Sequence, residues 1–426
     1  MSKFWWQLQQ VVDQLWFRSV FLSAIAIAVA VLGLVIGPYV PASIARTIGS
    51  ESVETILGII SSSMLAVTTF SLSTMVNGYA AASSGATPRA TGLLMRDATS
   101  MNVMAVFIGA FIYSLLATIL LTTGVYDPGA RVVVFASTLV VVTLVVVTLL
   151  RWVDYVRRLG RVGETTNAVY EVARTALQAR AARPYMGGRP GPRVAREQPV
   201  DALPVYAGAT GYVQHIAVDV LQSIAERLET SIDVVSLPGA FVSARSPIAY
   251  VQGARSQDAA ELEAEVADAF SIERSRTFDQ DPRFGIIAMS EIASRALSPA
   301  VNDPGTAIDV IGRMVMLFDI WSAVDRNQEP KFDRVRVPGL AEKDLFDDAF
   351  APIARDGAAI PEVQIRLQKA FAILTRSRNP AVCEQAYRHS QLAMKHAEQA
   401  IQLTDDLERV RAALDRFPSY RDTRRT

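Results

Sequence analysis

The chain has 426 residues, half of them hydrophobic, and its 42 basic and 42 acidic side chains leave a formal net charge of zero. That length is too great for one ordinary domain and allows a membrane module together with one or two soluble cores. The single cysteine, Cys383, excludes an intrachain disulfide and a thiolate metal cluster.

Four apolar stretches in the first part of the chain are each long enough to form a transmembrane helix. A helix crosses the hydrocarbon core with about 20 residues at a rise of about 1.5 Å per residue. Charged side chains are sparse between Ser19 and Leu150 and become frequent from Arg151 onward. We therefore predict an integral membrane α-helical domain over residues 1–155, with transmembrane helices at about 21–40, 56–79, 101–121 and 132–150.

The basic side chains that flank these four helices predict their orientation, because cytoplasmic loops carry an excess of Lys and Arg. The loops on one side carry only Arg46 and Arg131. The segments on the other side carry Lys3, Arg18, Arg89, Arg96, Arg151, Arg157, Arg158 and Arg161. This bias predicts a multi-pass protein of the bacterial cytoplasmic (inner) membrane with both termini in the cytoplasm.

The second apolar stretch is unusually polar for a transmembrane helix. At about 100° per residue, Ser62, Thr69 and Ser73 fall within roughly 40° of one another, and Asn77 lies near the same line. These four residues are candidates for lining a wet path, where hydroxyls replace part of the hydration of an ion or solute. The alternative is that the hydroxyls bond to carbonyls of their own helix and promote packing between helices.

Charge and loop composition limit what the membrane domain can be. The four predicted transmembrane segments contain no Asp, Glu, Lys or Arg, which argues against a proton relay or a voltage sensor. The segment over residues 77–100, between the second and third helices, is small and polar. We interpret it as a hinge, and the alternative is a re-entrant loop that contributes to a gate.

The remaining two-thirds of the chain predict a mixed α/β, mainly helical cytoplasmic domain. After Trp152 the pattern predicts a charged, amphipathic helix to about Ala182. We assign residues 156–200 to this juxtamembrane helix and to a flexible linker rich in Pro, Gly and Arg that follows it. Residues 201–255 predict a small strand-rich module, and residues 256–426 predict a helical domain. Within it, His389 and His396 are interpreted as surface residues rather than metal ligands, because no third histidine or carboxylate pattern completes a site.

Several motifs, in order along the chain, resemble a known family. They are TTFSLSTMV, SGATPRAT and FIGAFIYSLLA in the membrane part, then GYVQHI, LPGAFV, DQDPRFG and EIASRALSPAVNDPGTA. Together they resemble the bacterial membrane proteins grouped as domain of unknown function 2254. The resemblance covers nearly the whole chain and implies this architecture, and it implies no catalytic or binding residue.

The segment around the last two motifs has two interpretations. In the first it is a tight corner between helices, with Asp303 as the cap of the second helix and Asn302 in the turn. Glu291 and Arg295, four residues apart, are then expected to pair along their helix. In the second, carboxylates and polar groups on loops hold a divalent cation or a cationic ligand, with Asp279, Asp281, Arg295, Asn302 and Asp303 as candidates.

Three classes of function remain at this point, and they make different demands. An enzyme requires a nucleophile, an acid and base pair or a metal constellation, and neither a nucleophile elbow nor a phosphate-binding glycine loop occurs, so we expect no enzyme and no cofactor. We expect an oligomeric channel or transport protein with a cytoplasmic regulatory domain. The alternative is a membrane-anchored ligand sensor or scaffold. The expected partners are a lipid bilayer, further copies of the chain and an ion or small solute, with no nucleic acid.

Overall fold

A computed structural model describes residues 15–41, 50–95, 97–192, 202–253 and 259–414. Among these residues, contacts divide the chain into two compact units. The N-terminal unit holds the described residues as far as Ser84 and those from Thr91 to Glu164. The C-terminal unit holds Gly85–Ala90 and the described residues from Thr165 onward.

The N-terminal unit is entirely helical in its described part. Its helices are α1 Leu15–Ile36, α2 Ser50–Gly85, α3 Pro88–Leu94, which runs across the unit boundary, α4 Ala98–Thr122 and α5 Pro128–Arg158. Four of them, α1, α2, α4 and α5, are long and apolar enough to cross a membrane. The prediction of four apolar helices is therefore confirmed. At 36 residues α2 is about 54 Å long, which exceeds the ~30 Å hydrocarbon core.

Helix α4 is the central helix of the N-terminal unit. Half of the residues in its most apolar stretch are buried, against 17 to 22% in the corresponding stretches of the other three apolar helices. Its Tyr113 hydroxyl lies 2.6 Å from Ser137 Oγ on α5. The helix starts at an Asp97 cap, whose carboxylate accepts from the Thr99 amide at 2.6 Å. These contacts give each apolar helix a buried side, and the described residues leave the opposite sides of α1, α2 and α5 uncovered.

A turn separates the fourth apolar helix from the helix that follows it. Helix α5 ends at Arg158, Gly160 adopts a φ of +81°, and α6 then runs from Val162 to Ala182. The prediction of one continuous helix from about Trp152 to Ala182 is therefore wrong. The reason is local, because Gly160 adopts the left-handed conformation at no steric cost and thereby ends the helix.

The C-terminal unit contains two β-sheets. Its strands are β1 Gly188–Pro190, β2 Ala202–Tyr206, β3 Gly211–Ile216, β4 Ile232–Val234, β5 Phe241–Val242, β6 Pro247–Gln252, β7 Phe270–Glu273 and β8 Phe332–Val337. The larger sheet has the order β1-β8-β4-β6-β2, and the smaller has the order β5-β3-β7. Helix α7, Val218–Arg227, packs on β4 and β8, and helix α8, Ala259–Asp268, packs on β2.

The sheets extend beyond the strand-rich module predicted for residues 201–255. Strand β8 pairs in parallel with both β1 and β4, and β7 pairs with β3. Strand β1 also places part of the predicted linker in the larger sheet, while linker residues 193–201 lie outside the described residues. These pairings are long-range, so they leave little trace in the local sequence pattern.

A helical layer completes the C-terminal unit. Its helices are α9 Pro282–Ala296, α10 Pro304–Ser322, α11 Glu342–Asp356, α12 Pro361–Leu374, α13 Pro380–Ala400 and α14 Thr404–Leu414. Their core contains a fully buried aromatic group from three helices, made of Phe318, Phe346, Phe350 and Phe371. The ring centroids of Phe318 and Phe346 are 4.3 Å apart. Burial of such large rings dominates the stability of a core of this kind.

Candidate functional sites

Four polar side chains of α2 form a stripe on its exposed side. Ser62, Thr69, Ser73 and Asn77, the four residues predicted from the sequence, are all exposed within the described chain. We call these four residues the α2 stripe. The same side of the helix continues with small exposed residues at Thr55, Ala66, Ala80 and Ser84. The structure therefore places all four candidates on one face, where no described part of the chain covers them.

Two hydroxyls of the α2 stripe donate to carbonyls of their own helix. Ser62 Oγ donates to the Gly58 carbonyl at 2.9 Å, and Thr69 Oγ1 donates to the Leu65 carbonyl at 3.0 Å. A hydroxyl has one donor and two acceptor lone pairs, so these side chains still present acceptors outward. Ser62 and Thr69 therefore bond within their own helix, as the alternative from the sequence predicted. Such bonds do not exclude contact between these side chains and water.

The opposite side of α2 is buried and mostly apolar, although it includes the fully buried Ser71. Leu57, Ile60, Met64 and Met75 are all less than a tenth exposed, and they pack in the cores of the N-terminal unit. Small polar residues of membrane helices ordinarily face neighbouring helices, because lipid offers them no hydrogen bonds. In α2 the polar stripe instead points away from the helices of its own unit. The exposed surface of α2 also carries Phe70, Leu72 and Val76, so the α2 stripe is a polar line within an otherwise largely apolar face.

A buried carboxylate joins two sequence motifs in the C-terminal unit. Asp281, in DQDPRFG, is 2% exposed and accepts from Arg276 Nε at 2.8 Å. Its other oxygen accepts from the Phe284 amide at 3.2 Å and so caps the start of α9. Burial raises the pKa of Asp281, and the charge of Arg276 opposes that rise. Asp281 therefore depends on Arg276 to stay ionised at its buried position.

The second motif, LPGAFV, reaches the same carboxylate through a glycine. Gly239 has a φ of +93°, and a Cβ at this position would collide with the Asp281 carboxylate. Its amide donates to the Val213 carbonyl at 2.8 Å. A cavity of about 340 Å³ adjoins this junction, and its walls include Arg276 and Arg283. Both arginines are already paired, since Arg283 holds Asp348 at 2.7 Å.

The five candidates for a cation or ligand site do not meet in one place. Asp279 and Asp281 precede α9, whereas Arg295 lies in its last turn and Asn302 and Asp303 follow it. A helix of 15 residues spans about 20 Å, which separates the two groups. The predicted five-residue cluster is therefore not formed. Among the described residues, no group of three or more His, Cys, Asp or Glu side chains is arranged to hold a metal ion.

The corner between α9 and α10 matches the first interpretation of this segment. Asp303 Oδ1 accepts from the Thr306 amide at 3.1 Å, and its other oxygen accepts from the Thr306 hydroxyl at 2.6 Å. The Thr306 hydroxyl and amide hold the pKa of Asp303 below its usual value. Asn302 has a φ of +50°, a left-handed conformation that asparagine tolerates. Asp303 and Asn302 therefore act in capping and turning the chain.

Glu291 does not pair with Arg295 as the spacing predicted. It forms an ion pair with Arg89 and accepts from the Thr87 hydroxyl at 3.2 Å. Arg89 also lies 5.7 Å from the centroid of the Phe284 ring. Residues 85–90, part of the segment interpreted as a hinge, thus belong to the C-terminal unit by their contacts.

Comparison with known proteins places the chain in a family. A family model described as "Predicted membrane protein (DUF2254)" matches residues 12–372, which is most of the chain. The chain belongs to this family. It is also 35% identical over 119 residues to uncharacterized proteins of Mycobacterium tuberculosis and of Mycobacterium bovis. No solved structure matches it.

The curated relatives supply little information on the function of this DUF2254 protein. The matched region is 26% of this chain and 22% of each mycobacterial relative, so the chain spans about a fifth of the length of these relatives. Their descriptions name no activity. Family membership therefore indicates that the chain is a membrane protein. The roles of individual residues in this DUF2254 protein are argued from its own structure.

His389 is buried in this DUF2254 protein, which corrects the prediction of a surface histidine. It is 1% exposed, and its Nε2 lies 3.0 Å from Asp347 Oδ1. The Phe346 ring packs against it with a centroid separation of 5.6 Å. Burial lowers the pKa of His389, and Asp347 opposes this effect. The apolar periodicity of α13 carries His389 into the core, whereas His396 stays partly exposed.

The lowered pKa of His389 predicts a loss of stability in acid. Below its ordinary pKa of 6.5 the unfolded chain binds a proton that the folded chain resists. As the pH is lowered from about 7.5 to about 5.5, we expect the thermal unfolding midpoint of the detergent-solubilised chain to decrease. The decrease should be smaller in His389→Gln. His396→Gln is the matched control and should retain the full pH dependence. An equal pH dependence in His389→Gln and the unmodified chain would contradict this role.

Proposed function

We propose that this DUF2254 protein is an oligomeric channel or transport protein, in which α2 stripes of several copies face a shared path for an ion or small solute. The observation that supports this proposal is the exposure of Ser62, Thr69, Ser73 and Asn77 on a helix whose other side is buried and mostly apolar. In this account the C-terminal unit is the regulatory domain.

Placing the α2 stripe against lipid is energetically costly. A side-chain amide such as that of Asn77 finds no hydrogen-bond partner in hydrocarbon, and an unsatisfied polar group costs several kcal/mol there, about what a buried unpaired amide costs. Closed symmetric assembly turns one stripe per copy into a ring, with each uncovered face meeting its equivalents. Rings of hydroxyl and amide oxygens can replace part of the hydration of a passing solute.

The location of the protein is part of the same proposal. The basic residues Arg18, Arg151, Arg157 and Arg158 favour a bacterial inner membrane with both termini in the cytoplasm. Lys3, Arg46 and Arg96, which enter the same charge bias, lie outside the described residues. The proposed partners are lipids, further copies of the chain and the passing solute, without nucleic acid, a cofactor or enzymatic activity.

Cross-linking through an introduced cysteine tests whether α2 stripes face one another. In a Cys383→Ser background, Ser73→Cys is expected to form disulfide-linked dimers of the reconstituted chain on mild oxidation. Thr143→Cys is the matched control, because Thr143 is an exposed hydroxyl on α5 that donates to the Leu139 carbonyl at 2.9 Å, as Thr69 does on α2. Equal cross-linking at both positions, or none at Ser73, would contradict the proposed assembly.

A second candidate function is a membrane-anchored ligand sensor or scaffold. The cavity of about 340 Å³ beside the Asp281 junction favours it, because small-molecule sites are concave and carry a few convergent polar groups. The two functions differ in whether the protein passes a solute. A sensor changes its thermal stability with a ligand and passes no solute, whereas a channel conducts.

A further inference from the structure

One arginine of the C-terminal unit is buried without a full set of partners. Arg180, on α6, is 5% exposed, and its Nη2 donates to the Gln280 carbonyl at 3.0 Å. Its Nη1 is buried and has no hydrogen-bond partner within the described chain. Burial lowers the pKa of Arg180 to about 10, so the guanidinium remains charged at neutral pH. The nearby carboxylate of Asp281 is already held by Arg276.

Leaving a buried cation in this state is costly. A buried charge is ordinarily paired with an opposite charge, because desolvation removes the stabilisation that water provides. The two arginines beside Gly239, Arg276 and Arg283, each hold an aspartate. Arg180 departs from that pattern, because it forms no ion pair within the described chain and the carboxylate that acts on its charge, Asp281, is bound to Arg276.

Arg180 lies at the wall of a small cavity with further basic groups. The cavity has a volume of about 210 Å³, and Arg183 and Lys331 also form its wall. Asp219 and Asp279 are present there too, so the wall is positive on balance. That volume accommodates one oxyanion with some water, since a single water needs only about 10–15 Å³ of such space.

A helix terminus adds to the preference of this cavity for negative charge. Helix α7 begins at Val218, which forms part of the wall, and its N-cap residue Ala217 supplies no side-chain hydrogen bond. The start of a helix carries partial positive charge and outward amides, and it favours anions. This contribution comes from the backbone and is independent of the arginines, and Asp219 in the first turn of α7 offsets part of it.

We propose that this cavity binds a small oxyanion, a phosphoryl or sulfate group, with Arg180 as its buried partner and Arg183 and Lys331 at its rim. Guanidinium groups suit such anions because their planar N–H groups match two oxygens at once. The phosphoryl group comes either from a free phosphate compound or from a phospholipid headgroup, and both sources present the same chemistry. The site does not depend on the proposed transport function.

Calorimetric titration of the full chain with inorganic phosphate tests the site directly. The titration is made in a maltoside detergent free of phospholipid, at constant ionic strength with chloride as the exchanged anion. We expect saturable binding of one phosphate per chain. The double variant R183Q/K331Q should bind about tenfold more weakly or worse, because each lost charge removes a charge-assisted hydrogen bond. Arg189→Gln is the matched control, an exposed arginine outside the cavity wall, and should bind as the unmodified chain does.

Arg180→Gln separates a ligand-binding role from a structural one. In phosphate-free buffer this variant should unfold at or above the midpoint of the unmodified chain, because a buried unpaired charge is removed. Phosphate should raise the midpoint of the unmodified chain and leave that of Arg180→Gln unchanged. If Arg180→Gln instead lowers the midpoint equally with and without phosphate, Arg180 serves only its Gln280 contact and the proposal fails.

Short-chain phosphatidylglycerol added to the same micelles distinguishes the two sources of the phosphoryl group. Competition with inorganic phosphate that is lost in Arg180→Gln assigns the site to a lipid headgroup. Phosphate binding without such competition assigns it to a free phosphate compound. Absence of binding by both probes, or binding that survives Arg180→Gln unchanged, overturns the proposal.

Discussion

Replacing Asp281 with alanine is expected to lower the free energy of unfolding of the C-terminal unit by about 3–5 kcal/mol. The change removes one partner of a buried ion pair and leaves the Arg276 guanidinium, 18% exposed, without its carboxylate. It also removes the cap from the Phe284 amide and opens space beside Gly239. Denaturant unfolding of the full chain in detergent, followed by hydrogen exchange in α9, measures the loss.

Asp279→Ala is the control for this prediction. Asp279 is two residues away in the same motif and is exposed, so its replacement should change the free energy of unfolding by no more than about 0.5 kcal/mol. Asp281→Asn keeps an acceptor for the cap and loses the charge, and it should fall between the two alanine variants. A loss at Asp281 no larger than that at Asp279 would show that the junction between the two motifs does not hold the fold.

Replacing Thr69 and Ser73 together with leucine is expected to reduce solute flux or conductance about tenfold or more. Both side chains belong to the α2 stripe, and two leucines per copy would convert a ring of hydroxyls into an apolar constriction, which closes to water and ions by dewetting. The effect should appear in flux measurements on reconstituted vesicles, with the amount of inserted protein held equal.

Thr143→Leu provides the matched control for the flux measurement. Thr143 is an exposed threonine on α5, and its hydroxyl donates to a carbonyl of its own helix, as that of Thr69 does on α2. In both positions the threonine is replaced by leucine. Thr143→Leu should leave flux unchanged, since α5 does not carry the polar stripe. Flux that survives the Thr69 and Ser73 changes would show that α2 does not line the path, even if the protein conducts.

The helices were largely predictable because their signals are local. Pro282, Pro304, Pro361 and Pro380 each start a helix of the C-terminal unit, and the apolar periodicity that follows each proline extends for several turns. The Asp303 cap also follows from adjacent residues. The apolar helices of the N-terminal unit are predictable for a different reason, since their length and composition alone suffice.

The sheets and the ligand cluster were harder to predict because they depend on pairings far apart in sequence. Strand β1 is three residues long and lacks alternation, and only its partner β8, more than a hundred residues later, makes it a strand. Nearness in sequence likewise placed Asp281 with Asp303, although α9 separates them, while the true neighbour of Asp281 is Gly239.

The candidate sites of the C-terminal unit left one detectable signal in the sequence. Arg180 falls on the buried face of α6, in the same line as Val169, Ala173 and Ala176. An arginine at such a position in an amphipathic helix is uncommon and indicates a buried partner or a ligand. The α2 stripe was predictable in the same way, from polar residues at helical spacing in an apolar segment.

The conductance of the purified chain in planar bilayers, with its copy number measured by mass photometry in lipid nanodiscs, tests the central claim most directly. We expect a particle of several copies that passes an ion or small solute. A monomer that passes neither under any gating condition tried would contradict the proposal that the α2 stripe lines a shared path.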